Sequence, residues 1–147
     1  MRRVLFLAIA CFLSLSCFSQ GYTPAQESVR SQIKTYLMDK GYSPENQSDG
    51  LKIKSNGVTY YVELSVSDTS PMYIRLARYI KYTDDLTHTK VYTNINQYNG
   101  KYCAKVSPQR NLIVISAEMY FNQASEFNAA FETLLEQVKS AYEIIDE

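Results

Sequence analysis

Histidine occurs once in this 147-residue chain, tryptophan not at all, cysteine three times and glycine five times. Each scarcity closes a route. A histidine-based metal site or a Ser/His or Cys/His catalytic pair would have to rest on His88 alone. That residue sits in the polar run Thr87-His88-Thr89, where a solvated side chain is expected. Cys11 and Cys17 fall within the first nineteen residues, which read as a cleaved leader, so in the mature chain Cys103 is expected to have no internal partner and a disulfide-stapled scaffold is excluded. No glycine belongs to a phosphate-cradling loop. Lys+Arg and Asp+Glu are equal at 15 each, which leaves no basic excess of the kind that nucleic acid selects. No apolar run reaches the about 20 residues that a membrane-spanning helix needs.

What is present begins with a leader. Arg2 and Arg3 precede an apolar stretch from Val4 to Leu15, and Cys17-Phe18-Ser19 puts small side chains at the −3 and −1 positions of a cleavage after Ser19. The pattern predicts a signal peptide over 1–19 and a single domain over 20–147, exported to the periplasm or beyond. A lipoprotein anchored at Cys17 is the alternative, but Ser14-Leu15-Ser16 lacks the leucine usual three positions upstream. Loss of Arg2 and Arg3 would leave the mature chain slightly acidic.

The rest of the chain has no repeat, low-complexity tract or linker. Thr23 can cap a helix whose first position suits Pro24, with Val29, Ile33, Tyr36 and Leu37 on one stripe and Gly41 as the C-terminal cap. Residues 42–50 are polar and read as a loop. Leu51 to Lys54 alternates as a strand, and Ser55-Asn56-Gly57 signals a tight hairpin. In the next strand Val58, Tyr60, Val62, Leu64 and Val66 face inward, while Thr59, Tyr61, Glu63 and Ser65 face outward. A third strand over 72–82 carries Met72, Ile74, Leu76 and Ile80 on one parity, and Arg78 interrupts it, which suggests an edge or a sheet end. Thr83-Asp84-Asp85 opens a short helix with Val91, Ile95 and Tyr98 on its apolar side and Gly100 at its close. Two strands, 102–107 and 111–121, follow around a turn at Pro108 to Asn111. Phe127, Phe131, Leu134, Leu135, Val138, Tyr142 and Ile145 then mark a long amphipathic helix. The expected fold is α+β: one domain, a five-stranded antiparallel sheet with helices on one face, in the order α-β-β-β-α-β-β-α.

Chemistry-bearing residues do not converge in this pattern. Asp84 and Asp85 are explained as helix-start charges, Glu132 and Glu136 lie opposite the phenylalanine stripe, and Glu63 and Glu118 fall on outward strand parity, where solvation is expected. No catalytic, metal or cofactor site is predicted. The candidate binding surface is the outward face of the sheet: Tyr61 and Glu63 on one strand, Tyr73, Arg75, Tyr79 and Lys81 on the next. Tyrosine and arginine are enriched where partners bind, although β-propensity alone also places tyrosines on strands.

The stretch Ile95-Asn96-Gln97-Tyr98-Asn99-Gly100-Lys101-Tyr102, leading into two strands and a final helix, resembles the YbjN-type, type III secretion chaperone-like fold family. Ile33 to Tyr42 (IKTYLMDKGY), followed by a short strand, a glycine turn and a long strand, is similar to the N-terminal half of that fold. The resemblance implies a non-enzymatic binding or regulatory module, often a homodimer, whose relatives hold unfolded segments of secreted proteins. The secretion chaperones are cytoplasmic, whereas this chain carries an export signal. The expected function is thus an exported module that binds a protein or peptide through the sheet face or an edge strand, without nucleic acid or a membrane span. The alternative is a small-ligand or envelope-stress protein with a pocket between sheet and helices.

Overall fold

The computed structural model describes residues 21–65, 71–81, 95, 99, 104–109 and 112–146. The predicted leader 1–19 with Cys11 and Cys17, and Val66, His88, Val91, Tyr98, Gly100 and Cys103, lie outside the described residues, as does most of the predicted middle helix. Ile95 and Asn99 from that stretch have helical backbone.

Helix α1 spans Pro24–Asp39, and its start is a capping box. The Thr23 hydroxyl accepts from the Gln26 backbone N–H at 3.3 Å, and the Gln26 side chain accepts from the Thr23 N–H at 2.9 Å. Gln26 is fully buried and also donates through Nε2 to the Ser65 carbonyl at 2.9 Å. One side chain therefore caps the helix and ties it to the end of a strand thirty-nine residues away. At the other end Gly41 has a positive φ of 87°. Tyr42 N–H bonds the Leu37 carbonyl at 3.0 Å, and Gly41 N–H bonds that of Met38 at 2.9 Å, which together make a Schellman closure.

Six strands follow: β1 Glu45–Gln47, β2 Gly50–Ser55, β3 Val58–Leu64, β4 Met72–Lys81, β5 Lys105–Gln109 and β6 Leu112–Phe121, then helix α2, Ala124–Asp146. They form one antiparallel sheet in the order β1-β2-β3-β4-β6-β5. The β2–β3 hairpin turns through Asn56 and Gly57, both at positive φ (50° and 80°), as a two-residue hairpin turn of this hand requires.

Three expectations are corrected. Among the described residues the sheet has six strands rather than five, because β1 lies inside the expected 42–50 loop. Its Glu-Asn-Gln sequence pairs by backbone alone and buries no side chain fully, so no hydrophobic alternation announces it. Pro108 and Gln109 belong to β5 instead of a turn. Proline lacks the N–H that a central strand must donate, and β5 is an edge strand, where its presence costs little. Arg78 sits within β4, an interior strand, facing the helices. Its guanidinium lies 3.4 Å from the centre of the Tyr142 ring of α2, a cation–π stack that lets a charged group share the apolar side.

The inner face of the sheet (Leu51, Ile53, Tyr60, Val62, Leu64, Ile74, Leu76, Val106, Ile113, Ile115, Ala117 and Phe121) packs with Ile33 and Leu37 of α1 and with Phe127, Phe131, Leu134, Leu135 and Val138 of α2. Ile95 joins the same core. Those side chains fill the layer between sheet and helices.

Candidate functional site

Strand register decides which residues meet on the opposite face. Glu63 pairs with Arg75, and Arg75 with Glu118, so a carboxylate, a guanidinium and a second carboxylate stand in one row across β3, β4 and β6. On one side of that row Tyr73 lies opposite Tyr120. On the other side Tyr61 lies opposite Ala77, and Tyr79 opposite Val114. All six predicted residues, Tyr61, Glu63, Tyr73, Arg75, Tyr79 and Lys81, share this outer face, with Lys81 exposed at the end of β4. Ala77, Val114 and Ser116 also belong to it yet are buried; their side chains are short beside Tyr61, Arg75 and Tyr79.

The row is tightly braced. Arg75 donates to Glu63 Oε2 through Nε at 2.7 Å and through Nη2, the Tyr79 hydroxyl donates to Glu63 Oε1, and Arg75 Nη2 reaches the Tyr79 oxygen at 3.2 Å. The Tyr61 ring stands edge-on to Tyr79, with centroids 5.2 Å apart at 82°. Glu118 accepts from Lys105 Nζ at 2.6 Å and from Ser116 Oγ at 3.2 Å, and is hydrogen-bonded to Tyr73. The Tyr73 ring packs on Tyr120 at 5.4 Å, and Tyr120 is 67% exposed. The expectation of solvated glutamates at 63 and 118 is thereby corrected: their side chains are only 14% and 20% exposed. A carboxylate that far out of water needs charged and hydroxyl partners, and cross-strand neighbours supply them.

Electrostatics follow from these contacts. Burial, reinforced by the hydrogen bond to Glu63, pushes the Tyr79 phenol up to about 12. Burial and the bond to Glu118 push Tyr73 equally far, to about 12. Burial would raise the Glu118 carboxyl, but Lys105, Tyr73 and Ser116 together hold it below its ordinary value. Below about pH 10 these phenols are protonated in both folded and unfolded chains. Between about pH 10 and 12 the unfolded chain releases protons that the folded chain retains, so stability falls as pH rises through that window. Denaturant melts at about pH 9 and about pH 11 should show the fall, and Tyr79→Phe should flatten part of it. An unchanged slope in the variant would mean that the Tyr79 hydroxyl titrates normally.

An open depression of about 400 Å³ lies at one end of this face, lined by Asp49, Glu63, Leu64, Ser65, Tyr73 and Arg75. The sheet edges are less open. Asn99 clasps β5, donating to the Val106 carbonyl and accepting from its N–H, both at 2.8 Å, and Pro108 removes a further donor. At the other edge, Arg30 Nη1 donates to the Gln47 carbonyl at 3.1 Å, and Lys34 Nζ donates to Asn46 Oδ1 at 2.9 Å.

Sequence reasoning missed Tyr120, Glu118 and Lys105 as members of the surface, though the parity of 111–121 already set Glu118 and Tyr120 apart from Met119. Asp49 carried no signal, since a turn has no face until its strands pair.

A single α+β domain, with an antiparallel sheet and two helices among its described residues, defines the class. In fold it is YbjN-like, as the sequence resemblance implied. The crystal structure of YbjN from E. coli, a candidate transcription regulator, matches with a TM-score of 0.57 at 13% identity, covering 79% of this chain and 88% of that one. No protein-family model matches the sequence, and no curated protein does. Among the described residues no helix is long and apolar enough to cross a membrane.

Proposed function

We propose that the protein is a non-enzymatic binding module that takes a protein or peptide partner on the tyrosine-rich outer face of its sheet. The observation that carries this reading is the exposed Tyr120 ring seated on Tyr73, with the Tyr61–Tyr79 pair fixed by Glu63 and Arg75 on the other side of the charged row of the same face. Rings held in place before contact lose little freedom on binding, and tyrosine offers large amphipathic contact area. Blunted edges favour the face over strand addition. The non-enzymatic part of the reading rests on the phenols at about 12, far above the range useful for proton transfer near neutral pH, and on carboxylates engaged by their own neighbours.

The test is Tyr61→Ala combined with Tyr120→Ala. Neither hydroxyl carries the Glu63 network, so the melting midpoint should stay within a few degrees. Co-purification from the native source with mass spectrometry should lose the partner, since anchoring tyrosines often contribute about 2 kcal/mol or more each. A double variant that folds and keeps every partner overturns the reading.

The same reading has the module act outside the cytoplasm, on the strength of the leader over 1–19. Intact mass of the protein from its native source should correspond to Gln20 as the first residue. A retained Met1, or a lipid on Cys17, would overturn the soluble exported form.

A further inference from the structure

The outer face is electrically polarised along its strands, and this bears on what the partner must carry. We propose that the depression beside Tyr73 receives a cationic side chain, arginine or lysine, from an extended segment of the partner. This deepens the sheet-face reading above and rests on it.

Consider what an incoming group would meet in the depression. Among the described residues that line it Arg75 is the only cation, and that charge is already committed to Glu63 through two donors. Asp49 is exposed, and among the described residues its carboxylate enters no ion pair. The residual charge presented to a ligand is therefore negative. An anion could be served only by pulling Arg75 away from Glu63, leaving a mostly buried carboxylate unpaired, which is costly. A cation meets Asp49 directly and has the Tyr73 ring, itself backed by Tyr120, as an aromatic wall. A flat guanidinium or a lysine stem can lie on that wall while its charge faces the carboxylate.

The far end of the face has the opposite sign. Lys54 and Lys81 are both exposed there. Lys81 is six residues along β4 from Arg75, or about 20 Å at the usual strand rise. An extended partner segment of about seven residues spans that distance. Charge complementarity then fixes its direction, with the basic residue over the depression and an acidic one near Lys81.

Amide and tyrosine-ring NMR shifts of the folded protein test this, with acetyl-arginine amide, acetyl-lysine amide and acetyl-glutamate amide as probes. The two cations should move Leu64, Ser65 and Tyr73 saturably, and the glutamate compound should not. Asp49→Asn should keep the melting midpoint, because the Asp49 backbone carbonyl, not its side chain, bonds Leu64. It should weaken the cations by about two- to fivefold, the usual worth of one exposed charge pair. Saturable binding of the glutamate compound at these residues, or affinity for the cations unchanged by Asp49→Asn, overturns the proposal. Immobilised peptides separate the two readings. If they bind in a manner lost with Tyr61→Ala/Tyr120→Ala but show no preference for arginine or lysine, the docking face stands and the cationic requirement falls. If no peptide binds and no probe shifts the spectrum, both fall.

Discussion

Replacing Gly50 by alanine is expected to remove much of the chain's stability. Gly50 sits at φ 154° at the start of β2, opposite Glu63, and a Cβ there would lie 1.9 Å from the Val62 carbonyl oxygen and 2.9 Å from its carbon. The obstacle is backbone of the paired strand, which cannot rotate aside as a side chain could. Relief requires β2 and β3 to separate, which would undo their ladder and draw Leu51 and Ile53 from the core. A loss of about 4 kcal/mol or more is expected, against a total stability of about 5–15 kcal/mol for a domain of this kind. Circular dichroism and thermal melts would report it. Gly57→Ala is the control: φ is also positive, at 80°, but nothing stands within 4 Å of the added carbon. That substitution should cost only about 1–2 kcal/mol, the usual penalty of a side chain in the left-handed region. Equal melting of the two variants would show that backbone conformation matters here and the strand contact does not.

Phe131→Ala should cost about 3–5 kcal/mol, the usual penalty for emptying a buried phenylalanine site. The ring is fully buried and meets three others: Tyr36 at 6.0 Å, Tyr42 at 5.4 Å and Phe127 at 5.8 Å, the first two edge-on at 82°. It thus joins α2 to α1 and to the segment following the Schellman closure. These neighbours are rings on three separate segments, so the cavity cannot collapse by moving one flexible chain. The midpoint in denaturant should fall with the slope unchanged, because the residue acts on stability and not on how much surface unfolding exposes. A change below about 1 kcal/mol would place the ring outside the cooperative core.

Much of the fold was legible along the chain because caps, turns and periodicities are local. Thr23-Pro24, Gly41 and Asn56-Gly57 bounded elements by backbone chemistry that no distant residue has to supply. Alternation sorted Tyr60, Val62 and Leu64 inward and Tyr61 and Glu63 outward, and the register kept that sorting. Strand β1 was not legible, because three polar residues that pair by backbone leave no hydrophobic trace. Arg78 was misread because the stacking ring arrives from Tyr142, sixty-four residues on.

The sequence by itself determined the parity of β2, β3, β4 and β6, the apolar stripes of the two helices and the outward placing of Tyr61, Glu63, Tyr73, Arg75, Tyr79 and Lys81. Tertiary structure decided which of those residues touch. Glu63 meets Arg75 and Tyr79, and Glu118 meets Lys105 and Tyr73, only because β3, β4, β6 and β5 stand side by side in this order and register. The physical reason is that strand parity is a one-dimensional property, whereas the neighbour across a sheet is chosen by topology. A one-residue slip would have sent every one of these groups to the other face.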